Sequence, residues 1–141
     1  MPLLAAGPGI ARGERTGALI SLVDVLATLG EQVGLPPPVA GAEDSISFLG
    51  ELQTPGSSPG REWILSERYD AKVDDVTVRG RRYKLRRHGG FAGVEVLIDL
   101  QEDPREEKPL WTGGELTDEQ RAAVERLRTV LAKEVPPRWR P

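Results

Sequence analysis

The residues best suited to chemistry are a single imidazole, His88, set in the arginine-rich run from Arg79 to Arg87, and a group of carboxylates, Asp99, Asp103, Glu106 and Glu107. A hydrolase needs an activated nucleophile, a positioned base and stabilisation of developing charge, and one imidazole cannot build a triad. The carboxylates are dense enough for a Ca²⁺ loop, but their spacing departs from the EF-hand pattern and Pro104 interrupts it, so a solvated acidic turn is the better reading. Gly7-Pro8-Gly9-Ile10 lacks the Lys-Ser/Thr of a phosphate loop, and Gly13 and Gly17 are too scattered for a dinucleotide fingerprint. With no cysteine in the chain, disulfides, thiolate metal sites and a cysteine nucleophile are excluded. On the residues alone, no catalytic and no metal-binding set can be assigned.

The elements that must position these groups centre on residues 76–107. Val76, Val78, Tyr83 and Leu85 alternate with polar residues around Arg79-Gly80, as in two half-buried strands joined by a tight turn. After Gly89-Gly90 and Gly93 the alternation of Val94, Val96, Ile98 and Leu100 predicts another strand, stopped by Asp103-Pro104. Trp63, Ile64 and Leu65 predict a strand before this meander, and residues 69–75 a turn. Thr117 and Gln120 form a capping box for a helix striped by Ala123, Val124, Leu127, Val130 and Leu131, which Pro136-Pro137 ends.

Nearer the start, Pro2 to Ala6 is a short apolar run that fits a buried strand closed by Gly7-Pro8-Gly9. Ser21 and Asp24 form an S-x-x-D cap before Leu22, Val25, Leu26, Leu29 and Val33, whose spacing predicts an amphipathic helix packed on a sheet. Pro36-Pro37-Pro38 is an extended connector, residues 43–49 a loop pinned by Phe48 and Leu49, and residues 53–60 the least ordered stretch by composition. Both the first strand and this helix are built for burial against something larger than the chain itself supplies.

Composition bounds the rest. A length of 141 residues is of single-domain size, but 16 Gly and 12 Pro leave much of it to loops, so the core must come from a few short segments. The net charge of −3 gives no overall attraction to nucleic acid, and no stacking aromatics accompany the basic cluster, so no nucleic-acid partner is expected. Met1-Pro2-Leu3-Leu4 has no basic n-region, so no signal peptide is read, and no apolar run approaches membrane-spanning length. With Met1 as the true start, the expectation is a cytoplasmic protein without a membrane partner.

The order of segments resembles the C-terminal portion of the sulfatases, in the alkaline-phosphatase-like superfamily. Pro2-Leu3-Leu4 before Gly7-Pro8-Gly9-Ile10 resembles the family's strand exit "P-hydrophobic … PG-I". Ser21 to Leu29 is similar to its "slvDl-PTL" helix, and Glu43-Asp44-Ser45 with Phe48-Leu49 to its "EDS-sfl" segment. Arg79 to Leu85 resembles "vR-g-yKL", and Leu97 to Leu100 with Asp103 to Glu106 resembles "LYDL-xx-DPxE". Ala27 stands where the family has the proline of "PTL", Ile98 where it has the tyrosine of "LYDL", and Lys108-Pro109-Leu110 where an Asn-Leu is expected, which suggests a divergent member.

The resemblance implies an α/β protein, α+β for the portion present. Residues 1–52 would be the edge of the main α/β domain, with one strand and one helix, and 53–60 a linker loop. Residues 61–135 would be a small antiparallel sheet packed by a C-terminal helix, and 136–141 a tail. It further implies sulfuric ester hydrolysis by a complete member, using a divalent cation (Ca²⁺) and a formylglycine, with the catalytic and metal-binding residues upstream of the matched segment. This chain alone is then predicted inactive. Arg87 and His88 are candidates for the rim of a sulfated substrate's pocket. The partner would be the missing N-terminal catalytic portion, or a second copy meeting it through the uncovered strand and helix. Two alternatives remain open: a non-catalytic interaction module derived from this subdomain, and a fragment of a related phosphatase or phosphodiesterase.

Overall fold

The structure is a computed structural model. It describes residues 3–36, 41–58, 60–69, 74–88, 94–108, 110–111 and 113–135. Pro2, most of the polyproline connector, residues 70–73, Gly89-Gly90, Gly93, Pro109 and Pro136-Pro137 lie outside the described residues. The elements are α1 (Asp24–Gln32), α2 (Leu49–Gln53), β1 (Ile64–Tyr69), β2 (Asp74–Arg79), β3 (Tyr83–His88), β4 (Val94–Asp99) and α3 (Asp118–Glu134). They fall into two compact units, Met1–Glu62 and Trp63–Pro141. Of the turn expected over residues 69–75, Tyr69, Asp74 and Asp75 are strand residues instead, because β1 and β2 pair up to their ends.

In the second unit the four strands form an antiparallel meander in the order β1-β2-β3-β4. The Gly80 amide, donating to the Tyr83 carbonyl at 2.8 Å, closes the short connection between β2 and β3. Side chains alternate across a strand, so one face carries Val76, Val78, Tyr83 and Leu85, all buried, and α3 covers it with Ala123, Val124, Leu127 and Leu131. The capping box opens this helix as its sequence predicts, with the Gln120 amide donating to Thr117 Oγ1 and the Thr117 amide to Gln120 Oε1. Sheet and helix together give the α+β architecture implied by the resemblance.

One strand sits in the opposite phase to its predicted alternation. Leu97, rather than Val94, Val96 and Ile98, faces α3: it lies directly opposite Leu85 and is fully buried, while Val94 is 62% exposed. The sequence VEVLID has apolar residues in both phases, so periodicity within the strand cannot choose between faces. Pairing with Leu85 and an isolated antiparallel bridge to Trp111 make the choice, the Leu97 amide donating to the Trp111 carbonyl at 3.0 Å.

The first unit departs further from expectation. Residues 3–6 form no strand, and Leu4 is 94% exposed; a strand exists only where a neighbour supplies its ladder, and none of the described residues does so here. Helix α1 begins later than the Ser21 cap predicts, with Val23 at the N-cap, and it is turned inside out. Asp24, Ala27, Thr28 and Gly30 are buried, whereas Leu22 (64% exposed), Leu26, Leu29 and Val33 (74%) face outward. The small interior is built from Leu19, Ala27, Phe48 and Leu49, so Phe48 and Leu49 do pin their loop.

The β4 register sets a test. Leu97→Ala should cost the second unit about 3 kcal/mol, and Val94→Ala within about 0.5 kcal/mol, in urea unfolding followed by Trp63 and Trp111 fluorescence. Equal costs would contradict the register.

Candidate functional site

Among the described residues, polar centres are built on this frame in both units. The first is Asp24. Its carboxylate accepts the Arg61 Nε–H at 2.8 Å, the Ser21 amide at 2.8 Å and the Ile46 amide at 2.9 Å, while Arg61 also donates to the Asp44 carbonyl. Gly60 allows this geometry: its φ is +66°, and a Cβ there would sit 2.6 Å from the Leu19 carbonyl oxygen, which the Arg61 amide takes as its acceptor at 2.7 Å. The close approach at Gly60 therefore swings Arg61 onto the helix. Thr28 completes the inward face, its hydroxyl donating to the Asp24 carbonyl at 2.7 Å and accepting the Phe48 amide at 3.1 Å.

A second buried carboxylate, Glu51, does for the following loop what Asp24 does for the helix. It accepts the Thr16 hydroxyl and the amides of Gly56 (2.9 Å) and Ser58 (3.0 Å). The stretch expected to be least ordered is thus wrapped around an anion. Its glycines and serines offer the exposed amides that such a wrap requires.

On the sheet, the expected pair Arg87 and His88 is separated. Both belong to β3 rather than to a loop, and consecutive strand residues point to opposite faces. Arg87 turns to the α3 side and pairs with Glu95, which Arg128 of α3 also holds at 2.6 Å. His88 turns to the open side, its Nδ1 against Asp75, and shares that carboxylate with Arg86 at 2.9 Å. Arg86 is the arginine that accompanies His88, and a strand assignment for Tyr83 to His88 would have predicted it.

The acidic group after β4 is likewise engaged. Asp99 accepts from Arg82 at 2.8 Å and from the Gln101 amide, Glu106 pairs with Lys84 at 2.6 Å, and Asp103 accepts the Lys108 amide at 2.8 Å. Among the described residues no three His, Asp or Glu side chains converge as a divalent cation requires. These carboxylates act as anchors for cations and turns.

Burial alone would push the Asp24 carboxyl up, but the hydrogen bonds from Arg61 and from the Ile46 and Ser21 amides outweigh it and hold it below the usual carboxylate range. Glu95 is lowered in the same way against its burial, by Arg128 and Arg87. A carboxyl lowered in the folded state contributes stability above its unfolded value near 4, and that stability is lost as pH falls through the folded value. Asp24→Asn should therefore destabilise the first unit by about 3 kcal/mol at neutral pH and remove part of its acid-side loss of stability. A circular-dichroism titration from pH 7 to 2 reads both; an unchanged profile would deny Asp24 this role.

No family model matches the chain. Arylsulfatase K of Homo sapiens is 32% identical over 115 residues, and that of Gallus gallus 31% identical over the same length; each match covers 75% of this chain and 21% of the relative. The chain thus spans about a fifth of the length of the curated relatives it matches. Among solved structures, a Bacteroides thetaiotaomicron protein classed as a sulfatase superposes with a TM-score of 0.74 at 25% identity, and a 2-O GAG sulfatase with 0.67 at 26%. Each superposition covers 92% of this chain and 28% of the other. The segment order, the sheet with its closing helix and these likenesses agree: the chain belongs to the sulfatases of the alkaline-phosphatase-like superfamily and corresponds to a C-terminal portion of them.

Proposed function

We propose that this chain serves a sulfuric ester hydrolase as its C-terminal part, and that hydrolysis belongs to the enzyme assembled with the catalytic portion. One observation carries the reading: α1 is folded with its polar face inward and its apolar face outward. Leu22, Leu26, Leu29 and Val33 lie at helical spacing and are all exposed. Leaving such a stripe in water forgoes about 25 cal/mol for each Å² of apolar surface that a partner would cover. Relatives and structural neighbours several times longer than this chain support the catalytic portion as that cover. The same face could seat a different protein if the chain were a free-standing interaction module. The sulfatase portion is favoured because the likeness to the longer solved chains extends over nearly all of this one.

In a complete family member a divalent cation would supply Lewis acidity and a formylglycine the hydrated aldehyde nucleophile. The residues here do not fit those groups. Cysteine, the usual formylglycine precursor, is absent from the sequence, and no convergent ligand set stands among the described residues. What this chain contributes is a rigid sheet-and-helix unit and a helix that completes an apolar interface. Of the two rim candidates, His88 lies on the open sheet face beside Asp75 and stays the candidate of this reading, while Arg87 holds Glu95.

Two measurements test this. The purified chain should show no turnover of an aryl sulfate or an aryl phosphate with added Ca²⁺ or Mg²⁺; metal-dependent turnover would contradict the reading. The chain should also self-associate through the uncovered stripe, and Leu26→Glu with Leu29→Glu should shift light scattering toward monomer. Unchanged association in that double variant would remove α1 as the interface.

A further inference from the structure

A cleft of about 320 Å³ opens in the second unit between Trp111, Glu115 and Leu116 on one side and Arg121, Val124 and Arg128 of α3 on the other. Both walls are fixed without any ligand. Trp111 is bridged to Leu97 through the backbone, and its Nε1–H donates to the Gly114 carbonyl at 2.7 Å. The capping box sets the start of α3, and Arg121 Nη2 reaches back to donate to the Leu116 carbonyl at 3.2 Å. Arg128 stands over the Trp111 ring, 6.0 Å from its centre. The charges around the cleft differ in how far they are engaged. Arg128 is fully committed, with Nε and Nη2 donating to Glu95 and Nη1 to Glu125. Among the described residues Glu115 has no partner, and Nε and Nη1 of Arg121 donate to none. Because Arg121 holds the carbonyl of the residue after Glu115, these two opposite charges share one lip of the cleft, yet no ion pair joins them.

We propose that this cleft binds a free α-amino acid with an apolar side chain, its carboxylate meeting Arg121, its ammonium Glu115, and its side chain the apolar lining of Trp111, Leu116 and Val124. A guanidinium fork matches a carboxylate, and an ammonium with its three donors matches the Glu115 carboxylate. A ligand of one sign is disfavoured: an anion drawn to Arg121 is repelled by Glu115, and a cation drawn to Glu115 is repelled by Arg121. Only a molecule carrying both poles satisfies the lip. The volume lies at the small end of the range for ligand pockets, about 300–1,000 Å³, which suits a metabolite of amino-acid size. This assignment rests on the second unit alone and is independent of the sulfatase reading.

The test is an NMR titration of the intact chain, read at the indole Nε1–H of Trp111, whose signal is assigned by its loss in Trp111→Phe. L-leucine and L-phenylalanine should shift that signal saturably, with a Kd of about 1 mM. N-acetyl-leucine lacks the ammonium, leucinamide the carboxylate and glycine the side chain, and each should bind at least about tenfold more weakly than leucine. Glu115→Gln and Arg121→Gln should each weaken leucine by about tenfold, the loss of one charge-assisted contact. Arg126→Gln, which alters an exposed cation of α3 outside the cleft, should leave binding unchanged, with circular dichroism confirming that all variants fold. No saturable shift up to about 10 mM, or an equal loss from Arg126→Gln, would overturn the site. N-acetyl-leucine or leucinamide bound as tightly as leucine would overturn the amino acid as its occupant.

Discussion

The pairing of Asp24 with Arg61 is the constraint from which the first unit follows. A carboxylate that accepts a guanidinium and two backbone amides is too well satisfied inside to be turned to water, and a helix offers only one face to its own unit. With Asp24 and Thr28 committed inward, Leu22, Leu26, Leu29 and Val33 have no direction left but outward. The arrangement depends in turn on Gly60, where any side chain would collide with the backbone of Leu19 and displace Arg61. A polar network thus orients an apolar surface, which makes sense in a piece of a larger body.

The second unit obeys the opposite logic. Its interior is apolar and closed, with Val78, Leu85 and Leu97 of three adjacent strands in contact with Leu127 and Leu131 of α3, and its ion pairs lie around that core. Glu95, held by Arg87 and Arg128, ties β3 and β4 to the helix. Asp99, held by Arg82 with Glu119 nearby on the same arginine, does so at the other end. The sheet is therefore tied to α3 at both ends, and α3 covers one of its faces.

Much of the second unit was legible in the sequence because its signals are local. The alternation around Gly80 and the Thr117 capping box need only neighbouring residues to be read, and both stand in the structure as predicted. The phase of β4 was not legible, since VEVLID alternates in both senses and only the distant partners Leu85 and Trp111 decide it. The same limit hid the first unit's organisation. The stripe of α1 was visible, but its outward direction depends on Arg61, 37 residues away from Asp24. Glu51, two residues before QTPGSSPG, gave no sign in the sequence that it collects the amides of that stretch. Arg87 and His88 are paired as rim candidates by adjacency in sequence; as consecutive strand residues they must part.

The central claim is that the first unit owes its order to a polar network and lacks cover for its apolar helix, whereas the second is self-sufficient. Hydrogen-exchange mass spectrometry on the soluble monomer addresses both halves at once. The account predicts that amides of residues 21–35 exchange roughly a hundredfold faster than those of β2, β3 and β4. Equal protection across the two segments would contradict it and mark the chain as an independent folded module.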